Sequence, residues 1–331
     1  MSTDCIPAIE RQGYTLREAS FLYLVAAHSG YFMRRHFARL LDRVDGAMCT
    51  HFLAKADNLG HVRRLAFSQN RHVYHLQSKT IYRLCGAEDS QNRRMKGEAG
   101  IKHRLMVLDY VLDDLHQQFL VTAEEKVEFF TRDLGIPMGV LPCSSFGNAD
   151  ASSRFFIDQA PTSIRQHETH RWQVRFAFVD EGSKTIKPFR RFLSEYEALL
   201  RKLPAFEVVY AADADVNFPA ATEEFLRRFP PAGASPLFPR GVEHFLSFAR
   251  ARLHWERSGG RVELTELATL QDGQKIYRTA GHESLYARLV NGAVTEQELR
   301  RDSRTTQEFR FETYLLEESY PFQTPRYRGR H

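Results

Sequence analysis

The hydrophobic period of this chain changes once within its first eighty residues, and that change limits the folds open to it. Apolar residues recur at helical spacing from Thr15 to Asn58 and alternate from His61 to Gln77. Thr15 and Glu18 have the spacing of a capping box, in which the two side chains satisfy backbone donors at a helix start. The helix they open is almost entirely apolar from Phe21 to Ala27, which predicts burial, and Gly30 stops it. YFMRRHFARLLDR follows, with Met33, Phe37, Leu40 and Leu41 on one side and Arg34, Arg35 and Arg39 on the other. Asp45-Gly46 breaks it. A third helix over 47–58 is expected to bury Met48, Phe52 and Ala56 and to turn Thr50, His51 and Lys55 outward. HVRRLAF (61–67) and HVYHLQ (72–77) then read as two strands joined by a polar turn, and Ser78 caps a short helix, KTIYRLCG.

Three helices followed by a basic hairpin describe a winged helix-turn-helix. In that arrangement the third helix enters the major groove of DNA and the hairpin meets phosphates or the minor groove. The candidate DNA contacts are therefore Arg34, Arg35, Arg39, Thr50, His51, Lys55, Arg63, Arg64 and Arg71. Charge distribution agrees. Residues 1–110 hold 17 Lys and Arg against 10 Asp and Glu, a surplus of +7 in a chain whose net charge is +5. A basic N-terminal part suits phosphate binding, because each neutralised phosphate releases counterions. The same pattern also fits a winged helix used only for dimerisation.

At 331 residues, 43% hydrophobic and with 25 Phe, the chain is long enough for two domains with separate cores. No apolar run approaches the length of a membrane span. FLYLVAA (21–27) is too short and badly flanked for a secretion signal. Cys5, Cys49, Cys85 and Cys143 lie far apart without a CxxC pair, which reads as reduced thiols in a cytoplasmic protein. Phosphate-loop, dinucleotide-binding and nucleophile-elbow motifs are missing, so no cofactor is expected.

Beyond a polar, basic linker over 91–100, a long amphipathic helix is expected over 101–118, with Leu105, Leu108, Val111, Leu112 and Leu115 on one stripe. Strands follow at KVEFFT (126–131), RFFID (154–158) and WQVRFAFVD (172–180), then a helix over 188–203 and a strand at FEVVYAA (206–212). The order α, β, β, β, α, β is that of the PD-(D/E)xK nuclease core. The predicted class is thus α+β: a winged helix over 1–90, a connecting segment over 91–120, an α/β restriction-endonuclease-like domain over 121–230, and a helical and hairpin extension over 231–331. That extension carries a helix over 242–256 and a hairpin over 267–280 turning at Asp272-Gly273.

Nucleases of this type hold a divalent metal, usually Mg²⁺, between two carboxylates, with a lysine orienting the attacking water. Here Asp158 and Asp180 are the candidate metal ligands, with Lys184 as the third catalytic group. The acid expected two residues before Asp180 is replaced by Phe178, and Glu181 next to Asp180 points to the opposite strand face. The site reads as degenerate. His167 and His170, flanking Glu168, have the wrong spacing for a zinc protease and read as loop histidines.

These features together resemble the replication-relaxation family of plasmid and mobile-element proteins. The likeness spans roughly residues 15–230. It lies in the winged helix, the linking helix from His103-Arg104-Leu105, and a hairpin ending in Val179-Asp180-Glu181-Gly182-Ser183 before FRRFLSEYEALL (189–200). The resemblance implies DNA binding linked to replication, mobilisation or gene control on a mobile element. The expected protein is a sequence-specific regulator or accessory factor, homodimeric on double-stranded DNA. Its degenerate nuclease-like domain would serve dimerisation or docking of a protein partner. Two alternatives stand beside it: a Mg²⁺-dependent nuclease or nickase, and an interaction protein without DNA in a secretion or defence complex.

Overall fold

The computed structural model describes residues 5–42, 46–67, 71–146, 152–156, 160–166, 172–230, 238–302 and 308–322. The chain is α+β. Contact density divides it into two units, residues 1–221 with 309–331, and residues 222–308. The last stretch of the expected C-terminal extension therefore belongs with the first unit.

After α1 (Ile6–Glu10), α2 (Leu16–His28) starts at a complete capping box between Thr15 and Glu18. Gly30 ends it at φ +79, where a Cβ would stand 2.0 Å from the Asn92 carbonyl oxygen. β1 (Tyr31–Phe32), α3 (Arg34–Leu40), α4 (Ala47–Asn58), β2 (Val62–Ala66) and β3 (His72–Leu76) follow. The three strands form an antiparallel sheet in the order β1-β3-β2. Phe21, Phe32, Phe37 and Phe52 pack ring against ring beneath the helices. On α4 the buried face is Cys49, Phe52, Leu53 and Ala56, while Met48 is 46% exposed. That set follows i, i+3, i+4, i+7, whereas the expected Met48–Phe52–Ala56 stripe drifts around the helix.

α5 (Lys79–Leu84) is capped by Ser78. The stretch expected as a linker is anchored instead: Asn92 is buried and its Nδ2 donates to the Ala26 and Ala27 carbonyls, both at 3.0 Å, closing the end of α2. α6 (Glu98–Asp113) begins three residues earlier and ends five residues sooner than expected, leaving Leu115 exposed. Every residue from Ile101 to Leu112 except His103 is buried. Leu108 and Leu112 join the aromatic core of the N-terminal helices, and Ile101, Leu105, Met106, Val107 and Tyr110 join a second core with Ala177, Val179, Val209 and Ala211.

The second core belongs to a five-stranded sheet in the order β10-β9-β8-β7-β4. Its strands are β4 (Gln118–Leu120), β7 (Thr162–Gln166), β8 (Trp172–Asp180), β9 (Ala205–Ala212) and β10 (Glu308–Leu315). β4–β7 and β7–β8 pair antiparallel, and β8–β9 pair parallel. A parallel pair needs a long crossover, which α8 (Lys187–Leu200) supplies.

Two expected strands are corrected. KVEFFT is helical: α7 (Ala123–Glu128) starts at a Thr122–Glu125 capping box and continues through a wide turn over Phe129–Asp133. Phe129 and Phe130 are both buried, which alternation across a one-sided strand would not allow. RFFID contributes its first two residues to β6 (Ser152–Phe155), which among the described residues pairs with β5 (Cys143–Phe146) in a separate ladder. The vacated places are taken by β4 and by β7, the latter lying between RFFID and WQVRFAFVD, where no strand was expected.

The second unit is helical. α9 (Phe218–Arg228) spans the unit boundary, and α10 (Val242–Arg257), α11 (Leu264–Ile276), α12 (Ala280–Val290) and α13 (Glu296–Asp302) follow. Phe245, Leu246, Phe248, Leu270, Tyr277 and Leu285 form its core. The expected hairpin at Asp272-Gly273 is a correction too. Gly273 is inside α11, and a Cβ there would stand 2.1 Å from the Phe248 ring, so glycine serves close helix packing and not a turn. Gly273→Ala is expected to cost about 1–3 kcal/mol through overpacking, read as earlier hydrogen exchange confined to α10 and α11.

A buried polar cluster ties the first unit together. Asp109, fully buried on α6, accepts from Arg35 Nη2 at 2.6 Å and from the Tyr320 hydroxyl at 2.9 Å, and stands 2.9 Å from His36 Nε2. The Met33 amide donates to His36 Nδ1 at 2.8 Å, so the proton sits on Nε2, facing the carboxylate. Burial alone would raise the Asp109 carboxyl, but His36, Arg35 and the Tyr320 hydroxyl overcome it and hold the group at about 2. The folded value lies below that of an unfolded aspartate. The stabilisation is therefore complete above about pH 4 and is lost as pH falls through about 2, amounting to about 2 kcal/mol. Urea unfolding against pH is expected to show this acid loss, and Asp109→Ala to cost about 3–5 kcal/mol and to flatten it.

Candidate nucleic-acid interface and the strand-end aspartate

α4 presents Thr50, His51, Ala54 and Asn58 to solvent, and Lys55 is half-buried. Beside it, β2 carries Arg63 and Arg64, both exposed and without an ion-pair partner among the described residues. β2 is an edge strand of its sheet, paired with β3 among the described residues.

The remaining candidate cations are engaged within the protein. Arg34 donates to the Gly46 carbonyl at 3.1 Å and to Thr50 Oγ1 at 2.9 Å, pinning α3 to the start of α4. Arg35 binds Asp109 and Glu318, and Arg39 pairs with Asp113 and lies 3.7 Å from Asp109. Lys55 pairs with Glu18 at 2.6 Å and lies over the Tyr14 ring. Arg71 reaches Ser319 and the Tyr320 carbonyl, holding the C-terminal segment on the hairpin. Thr50, His51, Arg63 and Arg64 thus form the accessible part of the expected surface.

Asp180 closes β8 and is 3% exposed. Its Oδ1 accepts from the backbone amides of Gly182 at 3.1 Å and Ser183 at 2.7 Å. Its Oδ2 accepts from the Tyr210 hydroxyl and from Asn217 Nδ2 at 3.2 Å. Burial, with Asp180 beside it, pushes the Tyr210 hydroxyl up. Four donors thus fill this carboxylate, and its geometry is that of a turn clasp after the strand. Phe178, two residues earlier, packs among Phe189, Phe192 and Tyr210. Glu181 turns to the other face, as alternation requires, and its carboxylate stands 3.3 Å from His103 Nδ1 on α6. The His103 hydrogen bond holds the Glu181 carboxyl below its ordinary range. Lys184 is exposed. Asp158, His167, Glu168 and His170 lie outside the described residues, and among those described no group of three or more His, Cys, Asp or Glu is placed to hold a metal ion. Asp180→Asn is expected to lower stability by about 1–3 kcal/mol, with Tyr210→Phe giving part of that loss; chemical denaturation checks both.

Two features escaped the sequence reading. Cys5 and Cys85, eighty positions apart, bring their Sγ atoms to 3.3 Å as free thiols. The other is Arg104, 7% exposed on α6, at the floor of a cleft of about 1440 Å³. A signal existed: the run Leu105-Met106-Val107-Leu108 marks a helix apolar on every side, so Lys102, Arg104 and Asp109 had to be buried charges. Lys102 is met by Asp213 at 2.6 Å and by the Glu181 carbonyl at 2.8 Å.

Comparison with protein-family models, curated proteins and solved structures finds no match for this chain. No helix among the described residues is long and apolar enough to cross a membrane.

Proposed function

We propose that the chain is a sequence-specific DNA-binding regulator or accessory factor. In this reading its first helices and hairpin act as a winged helix-turn-helix, and its larger sheet is a nuclease-type core without catalytic use. The observation that carries it is the placement of α4 against an edge hairpin, in a sheet ordered β1-β3-β2, with Thr50 and His51 exposed on the helix and Arg63 and Arg64 unpaired on the strand. Helix α4 enters the major groove, Thr50 and His51 facing base edges, while Arg63 and Arg64 bind phosphates. Arg35 and Arg39 hold α3 in place instead of touching DNA.

The order α6, β4, β7, β8, α8, β9 supports a nuclease-type ancestry for the sheet. The four donors on Asp180 and the aromatic packing of Phe178 support a structural present role. Such a domain serves dimerisation or partner docking, and a homodimer presenting two α4 helices suits a two-fold operator. Mobile-element replication or gene control is the setting that the family resemblance suggests.

The test is fluorescence anisotropy on native upstream DNA over a range of salt. Joint Arg63→Ala and Arg64→Ala substitution is expected to weaken binding at all sequences and to lower the salt slope by about 2. His51→Ala is expected to reduce discrimination between sites with the slope intact. Unchanged affinity and slope in the double arginine variant would remove the reading.

A further inference from the structure

Three charged side chains are buried on α6, and only two of them have counter-charges. Asp109 has Arg35, and Lys102 has Asp213. Arg104, 7% exposed, has neither a side-chain hydrogen bond nor an ion-pair partner among the described residues. A desolvated guanidinium without an anion is costly, and it persists where something supplies the anion. Burial lowers this guanidinium to about 10, with only the neighbouring Tyr82 and Tyr31 hydroxyls acting in the opposite sense.

Arg104 lines the cleft of about 1440 Å³ framed by the end of α2, the segment after α5, and α7. Lys126, 4% exposed, stands there as well, its Nζ donating to the Ala160 carbonyl at 3.0 Å. His28 is a third basic group on the wall, kept neutral by burial and by the Lys126 charge, which lower it to about 3. Asn92 also lines the cleft, but its Nδ2 is spent on the Ala26 and Ala27 carbonyls and its Oδ1, an acceptor without a partner among the described residues, does not serve an anion. Arg94 and Arg154 are exposed at the mouth. The acidic lining residues lie outward: Asp89, Glu124 and Glu128 are exposed, and Glu88 is paired with Lys79 and Arg83. The floor is therefore cationic while the rim is mixed.

We infer that this cleft is an anion site, with Arg104 as its anchor and a phosphate group as its ligand. Arginine's planar fork matches two oxygens of a phosphate, and the buried lysine elsewhere on the same lining adds to its positive character. The phosphate has two chemical sources, a free nucleotide or a nucleic-acid strand entering the cleft. No residue of α4 or of the β2–β3 hairpin lines it, so the inference stands or falls separately from the DNA-reading surface.

The experiment is thermal unfolding of the full chain with sodium pyrophosphate, with ATP without added metal, and with a short single-stranded oligonucleotide, each against sodium chloride of equal ionic strength. Pyrophosphate is expected to raise Tm by about 5 °C at a concentration near a hundred times Kd. A matching rise with ATP alone assigns the free nucleotide, and one with the oligonucleotide assigns the strand. Arg104→Met is expected to lose the response while its ligand-free Tm stays level or rises, since it removes a buried charge without a partner. Arg104→Lys, which keeps the charge but not the fork, is expected to need about tenfold more ligand and serves if the methionine variant does not fold. No rise beyond the chloride control in any arm overturns the inference, as does an undiminished rise in the variants.

Discussion

The first unit depends on one constraint: α6 is buried around almost its whole circumference and yet carries charges. One side of it completes the aromatic core under α2, α3 and α4, and the other packs on β8 and β9. A helix in that position joins two sheets into one body, but each of its polar side chains must then be matched inside the protein. Asp109 meets this demand by gathering Arg35, His36 and Tyr320 from α3 and the C-terminal segment. The segment after β10 thereby becomes part of the core, with Leu316 and Tyr320 buried against α6.

That demand also sorts the arginines of the N-terminal part. Arg35 and Arg39 look like solvent-facing cations in an amphipathic pattern, but they answer carboxylates on α6. Arg63 and Arg64 lie on the edge strand β2, exposed and without an ion-pair partner among the described residues, and remain available. The same logic applies to Asp180. A carboxylate at the end of a buried strand must be satisfied, and the turn amides, Tyr210 and Asn217 do so. Arg104 is the exception among the charges on α6: among the described residues nothing answers it, and that gap is what motivates the anion site proposed above.

Much of the local structure was legible. The Thr15–Glu18 capping box, the stop at Gly30, the hairpin over 62–76 and the long strand ending at Asp180 follow from short-range rules and are present as read. Failures came where a local pattern had two solutions. KVEFFT has β-forming aromatics, yet its Thr122 cap and the room beside Trp172 and Phe156 for two adjacent phenylalanines make it helical. Asp272-Gly273 is a turn pair by composition, but the contact with Phe248 decides for a helix. Met48 lost its place in the core by a single residue of helical phase.

By itself the sequence determined the α+β class, the positions of most helices, the basic balance of the first third and the mismatch at Phe178. These are properties of composition and of periods shorter than about eight residues, which local sterics and patterning control. Tertiary structure decided which strands fill the sheet, which arginines face water, that Asp180 is a clasp and that Arg104 meets no counter-charge among the described residues. Apart from the two turn amides on Asp180, these depend on partners tens to hundreds of positions away, from Arg35 with Asp109 to Tyr320 with α6. The net charge of a stretch is written in the chain; the partner that each charge meets is a matter of packing.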